Sequence, residues 1–169
     1  VEEFGADVLR MFEMRLGPID ATKPWNVKQI AGIVRFRNRI LKMCDTAAAG
    51  GGNDRGAQEV ESKAAEEGRV GGGSGDLARL IHKTVRDVTA EIEAMRFNTA
   101  ITFLMVLSNA VQESQQSGDS RGDAVREEER AALEAMLTML SPFAPHLAEE
   151  CAVTLAEGGS RGGDTGGDM

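Results

Sequence analysis

The stretch that decides the fold is residues 76–111, which read DLARLIHKTVRDVTAEIEAMRFNTAITFLMVLSNAV. Its apolar side chains return every three or four residues from Leu77 to Met95, which is the period of an α-helix with one buried face. The pattern loses its phase at 95–99, where Asn98 is well suited to cap a new helix. We therefore predict two antiparallel helices that are joined by a tight turn.

The rest of the patterned sequence predicts the same class of structure. Tyrosine is absent, aromatic residues make up only 4% of the chain, and β-branched residues never alternate over the length of a strand. Further amphipathic helices are predicted over four ranges, which are 6–16, 26–45, 126–140 and 146–156. The expected fold is all-α, an antiparallel helical bundle.

Glycine-rich polar sequence separates some of these segments. Residues 47–75 contain nine glycines and almost no apolar side chain, so burial cannot offset the entropy of ordering them. We predict a disordered insert at 47–75 and, for the same reason, a disordered tail at 157–169. The expected organisation is a first helical segment at 1–22, a bundle at 23–156 and the tail.

Composition and motifs give no support to several classes of function. Cys44 and Cys151 are the only cysteines, no CxxC occurs, and the two histidines lie far apart, so we predict no metal site, no disulfide framework and a reducing compartment. The longest apolar run, 101–107, is far shorter than the roughly 20 residues of a membrane span. The chain opens at Val1 without a signal segment, so we expect an internal start. We predict no catalytic residue and no cofactor site.

The net charge of −8 argues against nucleic acid as a partner, but the charges are unevenly distributed. Residues 22–44 contain six basic residues and no acidic one, whereas the remainder holds 13 basic and 27 acidic residues. At 100° per residue, four of the cations fall within about 60° of one another on the second helix, facing away from its apolar stripe. This cationic ridge consists of Lys28, Arg35, Arg39 and Lys42.

The cationic ridge has two interpretations. Any amphipathic helix presents charged residues to solvent, but a merely solvated face normally mixes signs and this one does not. A row of cations suits a phosphate backbone, because each neutralised phosphate releases counterions. Trp25, just before the ridge, either packs onto the bundle or stacks on a base. We predict Trp25, Lys28, Arg35, Arg39 and Lys42 as nucleic-acid contacts.

Several short motifs of this sequence, in order along the chain, resemble leucyl-tRNA synthetases of the bacterial or organellar type. They are FGADVLR (4–10), MRLGP (14–18), KPWN (23–26), GIVRF (32–36) with NR (38–39), HKTV (82–85), RFNTAI (96–101) and LSPFAPHLAEE (140–150). Arg37 departs from the family, which usually carries an aliphatic residue on this apolar face. Either the face is open there, or the arginine extends outward to solvent.

The resemblance implies a bundle of the anticodon-binding type found in class I aminoacyl-tRNA synthetases, with residues 1–22 as the stem-contact region that follows the catalytic core. The parent enzyme would attach leucine to tRNA(Leu) using ATP and magnesium. This chain contains neither the HIGH and KMSKS signatures nor the editing domain, so we expect no catalysis by it alone. The implied partners are tRNA(Leu) and the catalytic and editing domains of the parent chain, with no membrane.

The expected compartment is the cytoplasm for a bacterial source, and the mitochondrion or plastid for a eukaryotic one. A hypothesis of another class is a freestanding helical module whose acidic surface binds a protein partner.

Overall fold

The computed structural model describes residues 4–20, 22, 30–49, 76–116 and 122–160. Within these ranges the chain forms six α-helices. They are α1 (Ala6–Arg15), α2 (Ile30–Ala48), α3 (Asp76–Glu93), α4 (Phe97–Gln116), α5 (Asp123–Leu140) and α6 (Pro145–Ser160). The predicted all-α bundle is confirmed.

One hydrophobic core receives side chains from all six helices. α3 packs chiefly on α4, as the deciding stretch predicts, and α2 packs chiefly on α6. Val8 and Met11 of α1 lie in the same core as Leu104 of α4 and Leu133 of α5. Helix α1, which lies within the predicted first segment 1–22, therefore packs in the same core as the other helices.

The turn between α3 and α4 forms as predicted but is capped differently. Met95 adopts a left-handed conformation with φ of 57°, and the Arg96 N–H donates to the Glu91 carbonyl at 2.8 Å, which satisfies a carbonyl in the last turn of α3. The Arg96 guanidinium also bonds the Glu91 carboxylate at 2.6 and 2.8 Å, and this hydrogen bond lowers the pKa of Glu91. α4 begins at Phe97, so Asn98 lies within its first turn and not at its cap.

Three helices extend beyond their predicted ends because tertiary contacts hold their last turns. α2 continues to Ala48, α4 to Gln116 and α6 to Ser160. The Gln115 amide of α4 donates to the Met43 carbonyl of α2 at 3.2 Å. Most of the predicted insert, from residue 50 to 75, and the end of the predicted tail, 161–169, lie outside the described residues.

α2 and α6 pack against each other, and the sequence alone does not reveal this contact. Cys44 of α2 and Cys151 of α6 are free and buried. The neighbouring Cys151 thiol, as a hydrogen-bond partner, and burial raise the pKa of the Cys44 thiol. Near the ends of the two helices, a Cβ placed on Gly158 would clash with the backbone of Ala48. Gly158 is therefore required by packing.

We expect Gly158→Ala to lower the free energy of unfolding by about 1–3 kcal/mol, because the added methyl group meets helix backbone that cannot yield without moving α2 or α6. Gly32→Ala is the matched control: its Cβ would meet only the Arg15 Nη1 atom, at 3.8 Å, and alanine favours a helix interior. This control should gain about 0.5–1 kcal/mol. Chemical denaturation checks both values, and equal effects of the two substitutions would contradict the close packing.

Candidate nucleic-acid interface

The cationic ridge forms in part. Arg35 and Lys42 are exposed on α2, and Arg39 between them is half-buried. On a regular helix all three lie within about 60° of one another. Lys28 and Trp25 lie outside the described residues, so their predicted contacts stay predictions.

Arg39 does not point away from the bundle, and this expectation was wrong. Its Nη1 atom donates to the Ser108 hydroxyl at 3.3 Å and to the Asn109 side-chain oxygen, both on α4. Burial, with the neighbouring charge of Arg35, lowers the pKa of the Arg39 guanidinium. An arginine has five N–H donors, so these bonds leave part of its capacity unused. Arg39 thus joins α2 to α4 at the edge of the ridge.

Arg37 takes the second of its two predicted alternatives and extends outward. Its guanidinium donates to the Phe4 carbonyl at 3.3 Å and to the Asn38 side-chain oxygen at 3.0 and 3.2 Å. The apolar face of α2 therefore tolerates an arginine, because the charged end reaches polar acceptors near the surface.

The bundle is electrically polarised. α2 carries four basic residues and one acidic residue, whereas α5 and α6 together carry eight acidic and two basic residues. Cys44, which contacts α6, lies on the opposite side of α2 from Arg35, nine residues and therefore about 180° away. Arg35 and Lys42 consequently face away from the acidic helix α6, whereas Arg37, seven residues from Cys44, lies only about 20° from it around the helix.

A buried junction joins α1 to α6, and the sequence did not predict it. The Asp7 Oδ2 atom accepts a hydrogen bond from the Leu147 N–H at 2.7 Å, and Oδ1 lies 2.9 Å from the His146 Nδ1 atom. Arg10 adds bonds to the Pro142 carbonyl at 3.0 Å and the Phe143 carbonyl at 3.3 Å. Asp7 thus caps α6 from another helix. The sequence offered one indication of this junction, since both of its segments, FGADVLR (4–10) and LSPFAPHLAEE (140–150), are motifs that resemble the family.

Two further findings concern the described ranges only. They contain no group of three or more His, Cys, Asp and Glu side chains that could hold a metal ion. No helix in them is long and apolar enough to cross a membrane.

A helical bundle that exposes cations on one helix and acidic residues on others has a face that is suited to a polyanion. Comparison with known protein families identifies the family to which this bundle belongs. The family described as the anticodon-binding domain of tRNA ligase matches residues 76–162, just over half of the chain. The chain belongs to this family.

Similar proteins of known identity include leucine–tRNA ligases. The chain is 40% identical over 159 residues to leucine–tRNA ligase 1 of Rhizobium johnstonii, covering 94% of this chain and 16% of that protein. It is 36% identical over 150 residues to the leucine–tRNA ligase of Sorangium cellulosum, covering 89% and 14%. The chain thus spans about one-sixth of the length of these relatives.

Among solved structures, the fold resembles a LeuRS chain of Agrobacterium radiobacter in a ternary complex with tRNA and LeuAMS. The TM-score is 0.67, the sequence identity is 22%, and the match covers 92% of this chain and 19% of that one. At this identity the likeness concerns the fold. The matches favour the tRNA-ligase interpretation over a freestanding protein-interaction module.

Proposed function

We propose that this chain is the tRNA-binding helical domain of a leucine–tRNA ligase and that it holds tRNA(Leu) by the phosphate backbone. The observation that carries the proposal is the exposed cationic side of α2, formed by Arg35 and Lys42 with Arg39 at its edge. Similarity to leucine–tRNA ligases over nearly the whole chain supports the choice of tRNA.

The arrangement suits positioning of the tRNA. Cations on one helix track a phosphate backbone but carry no base-specific pattern of donors and acceptors. The specificity for leucine and its tRNA would then come from the other parts of the ligase. The bundle would supply orientation and electrostatic attraction.

The parent protein, on this proposal, joins leucine to tRNA(Leu) with ATP and magnesium in its catalytic domain. Residues of this chain would act on that reaction by holding the tRNA body and by contacting the catalytic and editing domains. None of them would take part in the chemical step.

The proposal is tested by binding of the purified chain to a fluorescently labelled tRNA(Leu) transcript, measured by anisotropy at several salt concentrations. Contact with about three phosphates should give a log–log slope of about −2 to −3 and a dissociation constant that is micromolar or weaker. A slope near zero would contradict backbone binding. Binding of the chain to a poly-glutamate competitor with the same affinity as to tRNA(Leu) would also contradict it.

A further inference from the structure

One more cation stands beside the ridge, and it comes from a different helix. Arg15 lies in the last turn of α1 and is exposed. Its Nη1 atom is 3.8 Å from the position that a Cβ on Gly32 of α2 would occupy. Among the described residues Arg15 has no ion-pair or hydrogen-bond partner. Its guanidinium is therefore available at the surface of α2.

Gly32 lies on the same side of α2 as the ridge. It precedes Arg35 by three residues and Arg39 by seven, which on a regular helix puts it about 60° from the first and about 20° from the second. Since glycine has no side chain, the helix surface is open there and the guanidinium of Arg15 occupies the space above it. The Arg15 guanidinium thus lies where a larger residue at position 32 of α2 would put its own side chain.

We propose that Arg15 is a phosphate-binding residue, and that the polyanion-binding face is a line of cations from two helices, Arg15, Arg35 and Lys42. This inference rests on the proposed function and names a residue that completes the same site. The ligand is the sugar–phosphate backbone of RNA, and the contact carries no base specificity.

The dimensions of this line suit a nucleic-acid strand. Gly32, where Arg15 stands, and Lys42 are ten residues apart, so the line is about 15 Å long at 1.5 Å per residue. That length covers several successive phosphates of one strand. Because Arg39 is partly committed to α4, Arg15 brings the exposed cations of this face to three among the described residues.

The position of Arg15 is held by the junction at the other end of its helix. Asp7 and Arg10 bind α1 to the start of α6 and to the turn before it. Val8 and Met11 of α1 lie in the core, so α1 is fixed on both its polar and its apolar sides. A cation on a fixed helix loses less entropy on binding than one on a free chain.

The test compares single neutral substitutions in the full chain, using the labelled tRNA(Leu) transcript as the probe. Arg15→Gln should weaken binding severalfold and reduce the magnitude of the log–log salt slope by about one. Arg35→Gln should do the same. The double variant Arg15→Gln with Arg35→Gln should reduce the magnitude of the salt slope by about two. Arg79→Gln is the matched control, because Arg79 is an exposed helical cation on α3 with Asp76 as its partner.

The outcomes separate this inference from the proposed function. If Arg35→Gln lowers the slope and Arg15→Gln does not, the role of Arg15 is wrong and the proposed function stands. If neither substitution lowers it, both are wrong. If Arg79→Gln lowers it as much as Arg15→Gln, the attraction is diffuse and Arg15 has no specific place. Far-ultraviolet circular dichroism should be identical for all variants, since these side chains are exposed.

Discussion

Reversal of two charges on α2, Arg35→Glu together with Lys42→Glu, is expected to lower the affinity for tRNA(Leu) more than tenfold, which is about 1.4 kcal/mol or more. Both side chains are exposed, so the melting temperature should stay nearly unchanged. The salt slope should flatten by about two, because two phosphate contacts are replaced by repulsion. Anisotropy with labelled tRNA measures both quantities.

The matched control is the double reversal Arg79→Glu with Arg86→Glu on α3, which changes the net charge equally. These two arginines are exposed and pair with Asp76 and Asp87, at 3.6 and 2.9 Å. Similar losses of affinity in the two double variants would mean that only the total charge matters. Arg39 is unsuitable for this test, since its substitution also removes bonds to α4.

Asp7→Ala is expected to lower the free energy of unfolding by about 2 kcal/mol, because it removes the cap of α6 and leaves the buried Leu147 N–H without an acceptor. The melting temperature should fall by roughly 5–10 °C. Asp7→Asn should lose less, since its amide oxygen can still accept from Leu147. Thermal and chemical denaturation provide the measurement.

His146→Ala is the control for this junction. The His146 side chain is 82% exposed, so its contact with Asp7 should contribute no more than a surface ion pair, about 0.5 kcal/mol. If Asp7→Ala costs no more than His146→Ala, the cap of α6 from α1 does not stabilise the bundle. Loss of tRNA affinity in Asp7→Ala under conditions where it remains folded would link the junction to the placement of Arg15.

The number and type of helices in the described ranges could be predicted from the sequence because each helix carries its own apolar period. α3 illustrates this, since a helical wheel places Leu77 and Val88 on one face, and both are buried. Helix ends were less predictable. Gly158 looked like the start of a flexible tail, yet it belongs to α6, because its missing side chain permits contact with Ala48.

The candidate site was predicted in part for the same reason. Arg35 and Lys42 share a side of α2 by their spacing along one helix, and that relation needs no knowledge of other helices. Arg39 has the same spacing but bonds Ser108 and Asn109, some 70 residues further along the chain. Arg15 could not be added from its position in the sequence, because α1 is a separate helix.

The sequence by itself determined the helices and the uneven distribution of charge. Through the motifs that resemble a known family, it also determined the class of protein. The tertiary structure decided which of those charges face solvent together. Periodicity describes neighbours within one helix, a few residues apart, whereas the contacts of Asp7 with Leu147, Arg39 with Asn109 and Arg15 with Gly32 join different helices. Such contacts depend on how helices cross in the packed core, and no local pattern encodes that geometry.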